Sequence, residues 1–333
     1  MNSRRSRFAV AAAVALGLLL TACSGGAGPE SSSSAGQAPA ATKTVTDSLG
    51  TQVTVPVKAQ RVVSLHYAST LPMLDLGVTP VGVNETLPNL LAESVVSTVS
   101  TLPVVTSKNE PLLEQISLLT PDLILVPDSV KEDVIGRLRE IAPTYVISLR
   151  PKGAGANTGW QQKEQTLADV LGVPEAAAKR AADFDARKQQ IAQTYAAQIK
   201  SSTVAAISAY QDNNFYLWGA GSSIGQTLTS LGFAYSPQAN ATATSGGATE
   251  AALSFEKIGG AVSDANLLFV ESDMRGTVNA FITALQQTQL YKDVPAVKAG
   301  HAYPVGKALV ASYTDANYSL DVVERALQGL KQG

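Results

Sequence analysis

The sequence predicts an α/β fold of two lobes, each built on a central parallel sheet, joined by one long α-helix. Three observations predict it. Short apolar strand-like runs alternate with helical patterns through residues 61–148 and again through 203–305, and such alternation produces βαβ units with parallel pairing. Between these halves, residues 174–200 (PEAAAKRAADFDARKQQIAQTYAAQIK) form the longest uninterrupted helical pattern in the chain. The halves also echo one another faintly. Glu114-x-Ile116 lies eight residues before Asp122, as Glu256-x-Ile258 does before Asp264.

The first 43 residues stand apart from both lobes. Arg4, Arg5 and Arg7 precede an apolar run over 8–20 that is too short for a mature membrane-spanning helix. Leu20-Thr21-Ala22-Cys23 follows and resembles the bacterial lipobox. In that signal the peptide is cut before the cysteine, whose sulfur then receives a diacylglycerol. Residues 1–22 therefore read as a lipoprotein signal peptide and Cys23 as the lipidation site. Cys23 is the only cysteine, which excludes an internal disulfide. Residues 23–43 are rich in Ser, Gly, Ala and Pro without apolar periodicity, a composition that makes a flexible tether. The expected location is the extracytoplasmic face of the cell membrane, held there by lipid. A hydrophobic content of 45% supplies ample core for the rest of the chain. With a net charge of -2 and no basic cluster, nucleic acid is excluded as a partner.

The first lobe is expected over 44–173. Residues 45–55 alternate around a turn and read as a hairpin. Arg61-Val62-Val63-Ser64-Leu65 is a buried strand ending at His66-Tyr67, and a helix through Met73 stops at Gly77. Val81-Gly82-Val83 is the next strand. A helix over 110–119 ends before Pro121, and a strand over 123–126 follows. A helix over 129–141 and a strand over 145–148 complete the lobe, with a Gly-rich loop from Arg150 to Trp160. In parallel sheets ligands gather outside the carboxyl ends of the strands. His66, Tyr67, Asp128 and Arg150 occupy those ends.

The dividing helix is justified by Ala, Glu, Lys, Gln and Arg, all strong helix formers, and by Pro174 in its first turn. Ala177, Ala181, Phe184, Ile191, Tyr195 and Ile199 make one apolar stripe. At 1.5 Å per residue the rod would be about 40 Å long. Pattern alone also allows an ordinary surface helix; the position between two similar halves favours a strut.

The second lobe is expected over 201–333. Strands are read at 203–209, 215–218, 267–270 and towards Val305, with helices ending at Leu231, over 254–261, over 281–289 and over 317–330. Gly221-Ser222-Ser223-Ile224-Gly225 fits the G-x-S-x-G nucleophile elbow between a strand and a helix, with Asp264, Asp273 or Asp293 and then His301 following in hydrolase order. A serine esterase using Ser223 and His301 is the competing reading; helix capping by Gly and Ser explains the same turn. Direct metal capture is disfavoured because only His66 and His301 are available as histidines.

Arg61-Val-Val-Ser-Leu, Leu74-Asp-Leu-Gly-Val-Thr-Pro-Val-Gly-Val83 and Leu113-Glu-Gln-Ile-Ser-Leu-Leu-Thr-Pro-Asp-Leu-Ile-Leu125 are similar to the binding proteins of iron-siderophore and cobalamin ABC importers. The resemblance extends over 45–330. It implies two Rossmann-like lobes joined by a single long helix, a chelate held unchanged in the cleft between them, and no enzymatic activity. It also implies a monomer delivering a ferric-siderophore to an ABC permease dimer, with haem or cobalamin as alternative cargo and no resident cofactor. Lys108-Asn-Glu-Pro-Leu-Leu-Glu114 is similar to the family stretch in which a basic residue touches the chelate. Lys108 would do so as a point charge, without the bidentate fork of Arg. Further ligand contacts are expected from His66, Tyr67, Arg150, Trp160, Tyr210, Arg275 and Tyr313, on loops facing the cleft. Glu114 and Glu256 match glutamates that dock into permease arginines in this family, with Glu110 as the alternative in the first lobe. Stabilisation of a helix dipole would also account for them.

Overall fold

Asp47 sets the first turn of the folded body: its Oδ1 accepts from the Leu49 and Thr51 amides at 2.9 and 2.8 Å, with Gly50 at φ 83°. The strands on either side, β1 (Thr42–Thr46) and β2 (Gln52–Pro56), form the expected antiparallel hairpin. The computed structural model describes residues 41–86, 88–149 and 159–330. They belong to one compact unit, Ala40–Gly333.

The remainder of the first lobe alternates strand and helix. In order come β3 (Val62–Ser64), α1 (Tyr67–Asp75), β4 (Gly82–Val83), α2 (Glu93–Val99), β5 (Thr106–Ser107), β6 (Glu110–Pro111), α3 (Leu113–Leu118), β7 (Leu123–Pro127), α4 (Glu132–Arg139) and β8 (Thr144–Ile147). The strands β4-β3-β7-β8 make a four-stranded sheet, parallel throughout. Because side chains alternate along a strand, Val62, Leu123, Leu125 and Tyr145 pack on one face and Val63, Ile124, Val126 and Val146 on the other.

The helix expected over 110–119 is shorter. Lys108 and Asn109 both have positive φ, 48° and 66°. That pair closes a two-residue hairpin of the primed kind, so Glu110 and Pro111 become strand and the helix starts at Leu113. Helix α2 carries no signal that the sequence reading used.

Two helices, not one, run along the junction of the lobes. α5 (Trp160–Leu171) is followed by α6 (Pro174–Thr194), and the two pack against each other through a turn at Gly172. The expected rod over 174–200 is corrected to the 21 residues of α6 and a separate α7 (Ala196–Lys200). Tyr195 leaves helical geometry between them, at φ -118° and ψ 27°. Its ring is buried and its hydroxyl is met by Gln328 Nε2 at 3.2 Å, so tertiary anchoring opens the helix there. α6 alone is about 31 Å long. Its stripe crosses between cores: Ala177 packs with first-lobe strands, Phe184 and Ile191 with those of the second lobe. Gly172, at φ 79°, lies so near the first lobe that a Cβ would stand 2.0 Å from the Val57 carbonyl oxygen. Gly172→Ala should therefore lower stability by roughly 3 kcal/mol or more, measured by urea denaturation; an unchanged midpoint would refute this close approach.

The second lobe contains β9 (Thr203–Gln211), β10 (Asn214–Trp218), α8 (Ser223–Ser230), β11 (Ala234–Tyr235), α9 (Pro237–Thr244), β12 (Glu250–Ser254), a 3-10 turn (Phe255–Lys257) and α10 (Ile258–Ala261). Then follow β13 (Leu267–Val270), α11 (Ala280–Gln287), α12 (Gln289–Lys292), α13 (Pro295–Lys298), β14 (Ala302–Pro304) and α14 (Tyr313–Leu330). The sheet order is β12-β10-β9-β13-β14, with β11 also on β9. Pairing is parallel among β9, β11, β13 and β14 but antiparallel for β9-β10-β12. The expected parallel core, β11, β9, β13 and β14, is thus extended by an antiparallel pair. The cause is local: Asn213, at φ 59°, turns the chain straight back from β9 into β10, leaving no length for a crossover.

Candidate functional site

The carboxyl ends of the parallel strands in both lobes meet along one seam. On the first-lobe side His66 ends β3 and caps α1, its Nδ1 accepting from the Ala68 amide at 3.1 Å. With Nδ1 an acceptor, the neutral ring carries its proton on Nε2. Burial lowers the His66 pKa to about 4 against the opposing pull of Asp128, which keeps the ring neutral at physiological pH. His66 therefore offers an N–H, the right group for a chelate oxygen and the wrong one for bare iron. Tyr67 lies beside it with ring centroids 4.4 Å apart.

Asp128, past the end of β7, accepts from Ser148 Oγ at 2.7 Å and from the Leu149 amide at 3.2 Å. Lys163 of α5 donates to the Leu149 carbonyl at 3.0 Å. Its pKa is lowered by burial, with Asp128 acting against that shift. Lys108 is exposed at the tip of the β5-β6 hairpin. The hairpin is tied to the end of β4 by the Glu85 amide donating to Thr106 Oγ1 at 2.9 Å. The sequence placed His66, Tyr67 and Asp128 past the carboxyl ends of first-lobe strands, where the fold has them; Lys108, singled out by resemblance alone, lies on the hairpin tied to the end of β4.

On the second-lobe side Tyr210 ends β9, 43% exposed, with its ring 5.2 Å from that of Tyr216. Burial and the neighbouring Glu271 hold the Tyr210 hydroxyl well above its ordinary pKa. Arg275 reaches across the seam: its Nη2 and Nε lie 3.0 and 3.2 Å from Oε2 of Glu93 in α2. Both partners are solvent-accessible, so this clasp contributes little stability. Arg275 thus stands at the seam, facing a first-lobe carboxylate.

Two expected contacts lie elsewhere. Trp160 and Tyr313 are 8% and 3% exposed. They pack edge-to-face with each other, centroids 4.8 Å apart, and with Phe184 at 5.7 and 5.5 Å. Trp160 opens α5 and Tyr313 opens α14, so both belong to the core where α5, α6 and α14 converge, and not to loops facing the cleft. Arg150 and Cys23 lie outside the described residues.

The seam also holds residues that the sequence reading missed. Lys307 follows β14 and is 8% exposed. Its Nζ pairs with Asp315 at 2.8 Å, donates to the first-lobe Leu90 carbonyl at 3.3 Å and sits 5.5 Å from the centre of the Tyr67 ring. Glu271 directly follows β13; its Oε1 accepts from the Ala308 amide at 3.1 Å. The rule that found His66, looking just past a strand's carboxyl end, would have found Glu271 too. Below the seam, Asp75 of α1 accepts from the Thr314 amide at 2.8 Å and from the Thr314 hydroxyl, capping second-lobe helix α14 with a first-lobe carboxylate. Arg180 of α6 donates to the Asp75 carbonyl at 2.8 Å, and Arg187 holds Asn317 and Asp321 of α14. The strut is therefore pinned to both lobes.

The elements of a hydrolase are not brought together. Ser222 is the helix cap, accepting from the Gly225 amide at 3.1 Å and donating to Gly219 at 2.7 Å, while Ser223 is 1% exposed inside the first turn. Helix α8 packs on β9 and β11, whereas His301 precedes β14 at the far edge of the sheet and turns its ring to the Asn266 carbonyl. Asp264 holds Ser236 and the first turn of α9, Asp273 its own turn, and Asp293 pairs with Lys298. Among the described residues no group of three or more His, Cys, Asp and Glu could hold a metal ion, and no helix is long and apolar enough to cross a membrane.

Two lobes, a pinned strut and a seam of strand ends suit a clamshell binder, and the family profile described as "Periplasmic binding protein" matches residues 62–309. The chain belongs to that family. A putative ABC transporter substrate-binding lipoprotein of Bacillus subtilis, YhfQ, is 26% identical over 95% of this binding protein and 96% of its own length. The probable siderophore-binding lipoprotein YfiY of the same organism is 30% identical over 51% of this chain and 50% of its own. Among solved structures, the siderophore periplasmic binding protein from the fuscachelin gene cluster of Thermobifida fusca aligns with a TM-score of 0.68 and 30% identity. That alignment covers 83% of this chain and 98% of that one. The two-lobe fold is the one shared with these neighbours.

Proposed function

We propose that this protein is the substrate-binding lipoprotein of an ABC importer, capturing a ferric-siderophore in the seam between its lobes and delivering it to a membrane permease. The observation that carries the reading is the family match across both lobes, joined to a siderophore-binding neighbour that aligns over most of the chain. The chelate is bound unchanged, the iron arrives as part of the cargo, and no resident cofactor takes part. Cys23 is the lipid anchor that holds the monomer at the extracytoplasmic face. His66 Nε2–H, Tyr67, Lys108 and Tyr210 are the ligand contacts. A helix pair pinned to both lobes resists hinge bending, so closure on the ligand is small.

Glu114 and Glu256 are the permease contacts. Each is exposed in the first turn of a short helix, one in each lobe. Glu114 follows the hairpin beside the end of β4; Glu256 follows β12 where the Phe255 amide bonds Asn213 at the tip of the β9-β10 turn. Both thus stand at strand-end rims flanking the seam.

Titration with ferric hydroxamate, catecholate and citrate complexes should quench tryptophan emission with a Kd on the order of micromolar or tighter. Trp218 is placed to report, since its Nε1 donates to Ser208 Oγ at 3.0 Å, two residues before Tyr210. Unchanged emission and no calorimetric heat with every chelate would end the siderophore reading. Glu114→Lys with Glu256→Lys should leave Kd within about twofold while cutting iron uptake by about tenfold or more, as like charges face each other at the dock. Lost chelate binding in that variant would mean these residues act elsewhere.

A further inference from the structure

Two carboxylates, Glu271 and Glu250, stand at the second-lobe wall of the seam, while the cations of that wall, Arg275 and Lys307, are paired with Glu93 and Asp315. Glu271 Oε1 accepts from the Ala308 amide and the Tyr210 hydroxyl lies beside the carboxylate, while Oε2 makes no hydrogen bond of ordinary geometry among the described residues. Lys307, the cation in reach, is held by Asp315 and the Leu90 carbonyl. A second carboxylate, Glu250, opens β12 opposite Trp218, on the sheet face that carries Tyr216. Glu271 follows β13 and its amide bonds Ile207 of β9, so it sits at the strand ends that face the first lobe. Beside it the tilted Tyr210–Tyr216 pair presents aromatic rings at the same edge, with the Tyr210 hydroxyl turned to the Glu271 carboxylate. Burial raises the Glu271 pKa and Glu250 adds to the shift, while Tyr210, the Ala308 amide and Lys307 oppose it. Among the described residues no ion pair reaches Glu271, since Lys307 is paired with Asp315.

Carboxylates flanked by aromatic faces are the surroundings that ammonium and guanidinium groups prefer. Resting on the siderophore reading above, we infer that Glu271, with Glu250 and the Tyr210–Tyr216 pair, forms a subsite for a cationic arm of the ligand. The cargo is then a ferric chelate of neutral or positive charge carrying an ammonium or guanidinium group, of the hydroxamate or mixed hydroxamate type. The first lobe, through His66 and Lys108, meets the oxygens around the iron; the second lobe meets the arm. A triscatecholate or citrate complex, rich in negative charge, would face repulsion from this wall.

Two probes differ in the arm alone: ferric desferrioxamine B, with a free ammonium, and its N-acetyl derivative, with the same trishydroxamate core. The full-length protein should bind the ammonium form about tenfold or more tightly by calorimetry, as expected for a desolvated charge-assisted hydrogen bond. In Glu271→Gln that preference should fall below about threefold, and Glu250→Gln should reduce it in part. Equal affinity for the two probes overturns the inference on the unmodified protein, whether or not the variants fold. A preference that survives in Glu271→Gln overturns the assignment to this residue. Binding of ferric citrate or a ferric triscatecholate with both hydroxamates silent overturns the subsite and leaves the siderophore reading standing. Silence from all four chelates removes both.

Discussion

Lys307→Met should destabilise the protein by about 3–5 kcal/mol at pH 7, because it strands a buried charge. The side chains of Lys307 and Asp315 are 9% and 2% exposed and meet at 2.8 Å. Without Lys307, Asp315 keeps only the Ala311 amide at 3.1 Å, and its Oδ1 already has no partner among the described residues. Burial has raised the Asp315 pKa, and Lys307 is the first influence opposing that rise. Its removal lifts the pKa further, so the penalty should shrink as acid protonates the orphaned carboxyl. Lys307→Met with Asp315→Asn removes both charges and should recover most of the loss. Urea denaturation of the single and double variants at pH 7 and pH 5 measures this. Equal destabilisation in both, without pH dependence, would mean the pair matters for packing alone.

Glu164→Gln should have the opposite sign. Glu164 of α5 is 0% exposed, and neither of its carboxylate oxygens has a hydrogen-bond partner among the described residues. Burial raises its pKa from 4.5 to about 8; Asp75 and Asp315 add to the rise, while the Tyr313 backbone and Arg180 oppose it. The folded protein then holds a proton that the unfolded chain releases above pH 4.5. Stability falls as pH climbs from 4.5 to about 8, and the penalty is fully present above that. Gln keeps the shape without the ionisation. The variant should be more stable than the parent at pH 8, on the order of 3 kcal/mol, with near parity at pH 4.5. Thermal melts across that range test it; parallel curves for the two proteins would show that Glu164 does not titrate in this window. The proton sits where Asp75 caps α14, so the same titration should loosen the joint between the lobes.

How much of this was legible in the sequence depended on the range of the interaction. Buried strands such as Val62–Ser64 and Leu267–Val270 are short apolar runs, and the fold builds them where periodicity places them. His66 and Tyr67 were readable because a strand end can be read without knowing its neighbours. Trp160 and Tyr313 were misplaced because they are far apart in sequence and acquire each other only when α5 and α14 converge on Phe184. The β9-β10 hairpin was visible as two strands, yet its direction hung on one residue, Asn213, adopting positive φ.

By itself the sequence determined the α/β class, two similar halves and a helix dividing them. These follow from composition and from patterns that repeat every two or three to four residues along the chain. The tertiary structure alone decided the break at Tyr195, the pairing of α5 with α6, and the polar links Lys307–Asp315, Asp75–Thr314 and Arg275–Glu93. Such links join residues separated by up to 239 positions. A charged or hydroxyl side chain looks the same in sequence whether it faces water or a partner, and only folding supplies the low-polarity surroundings that make the difference count.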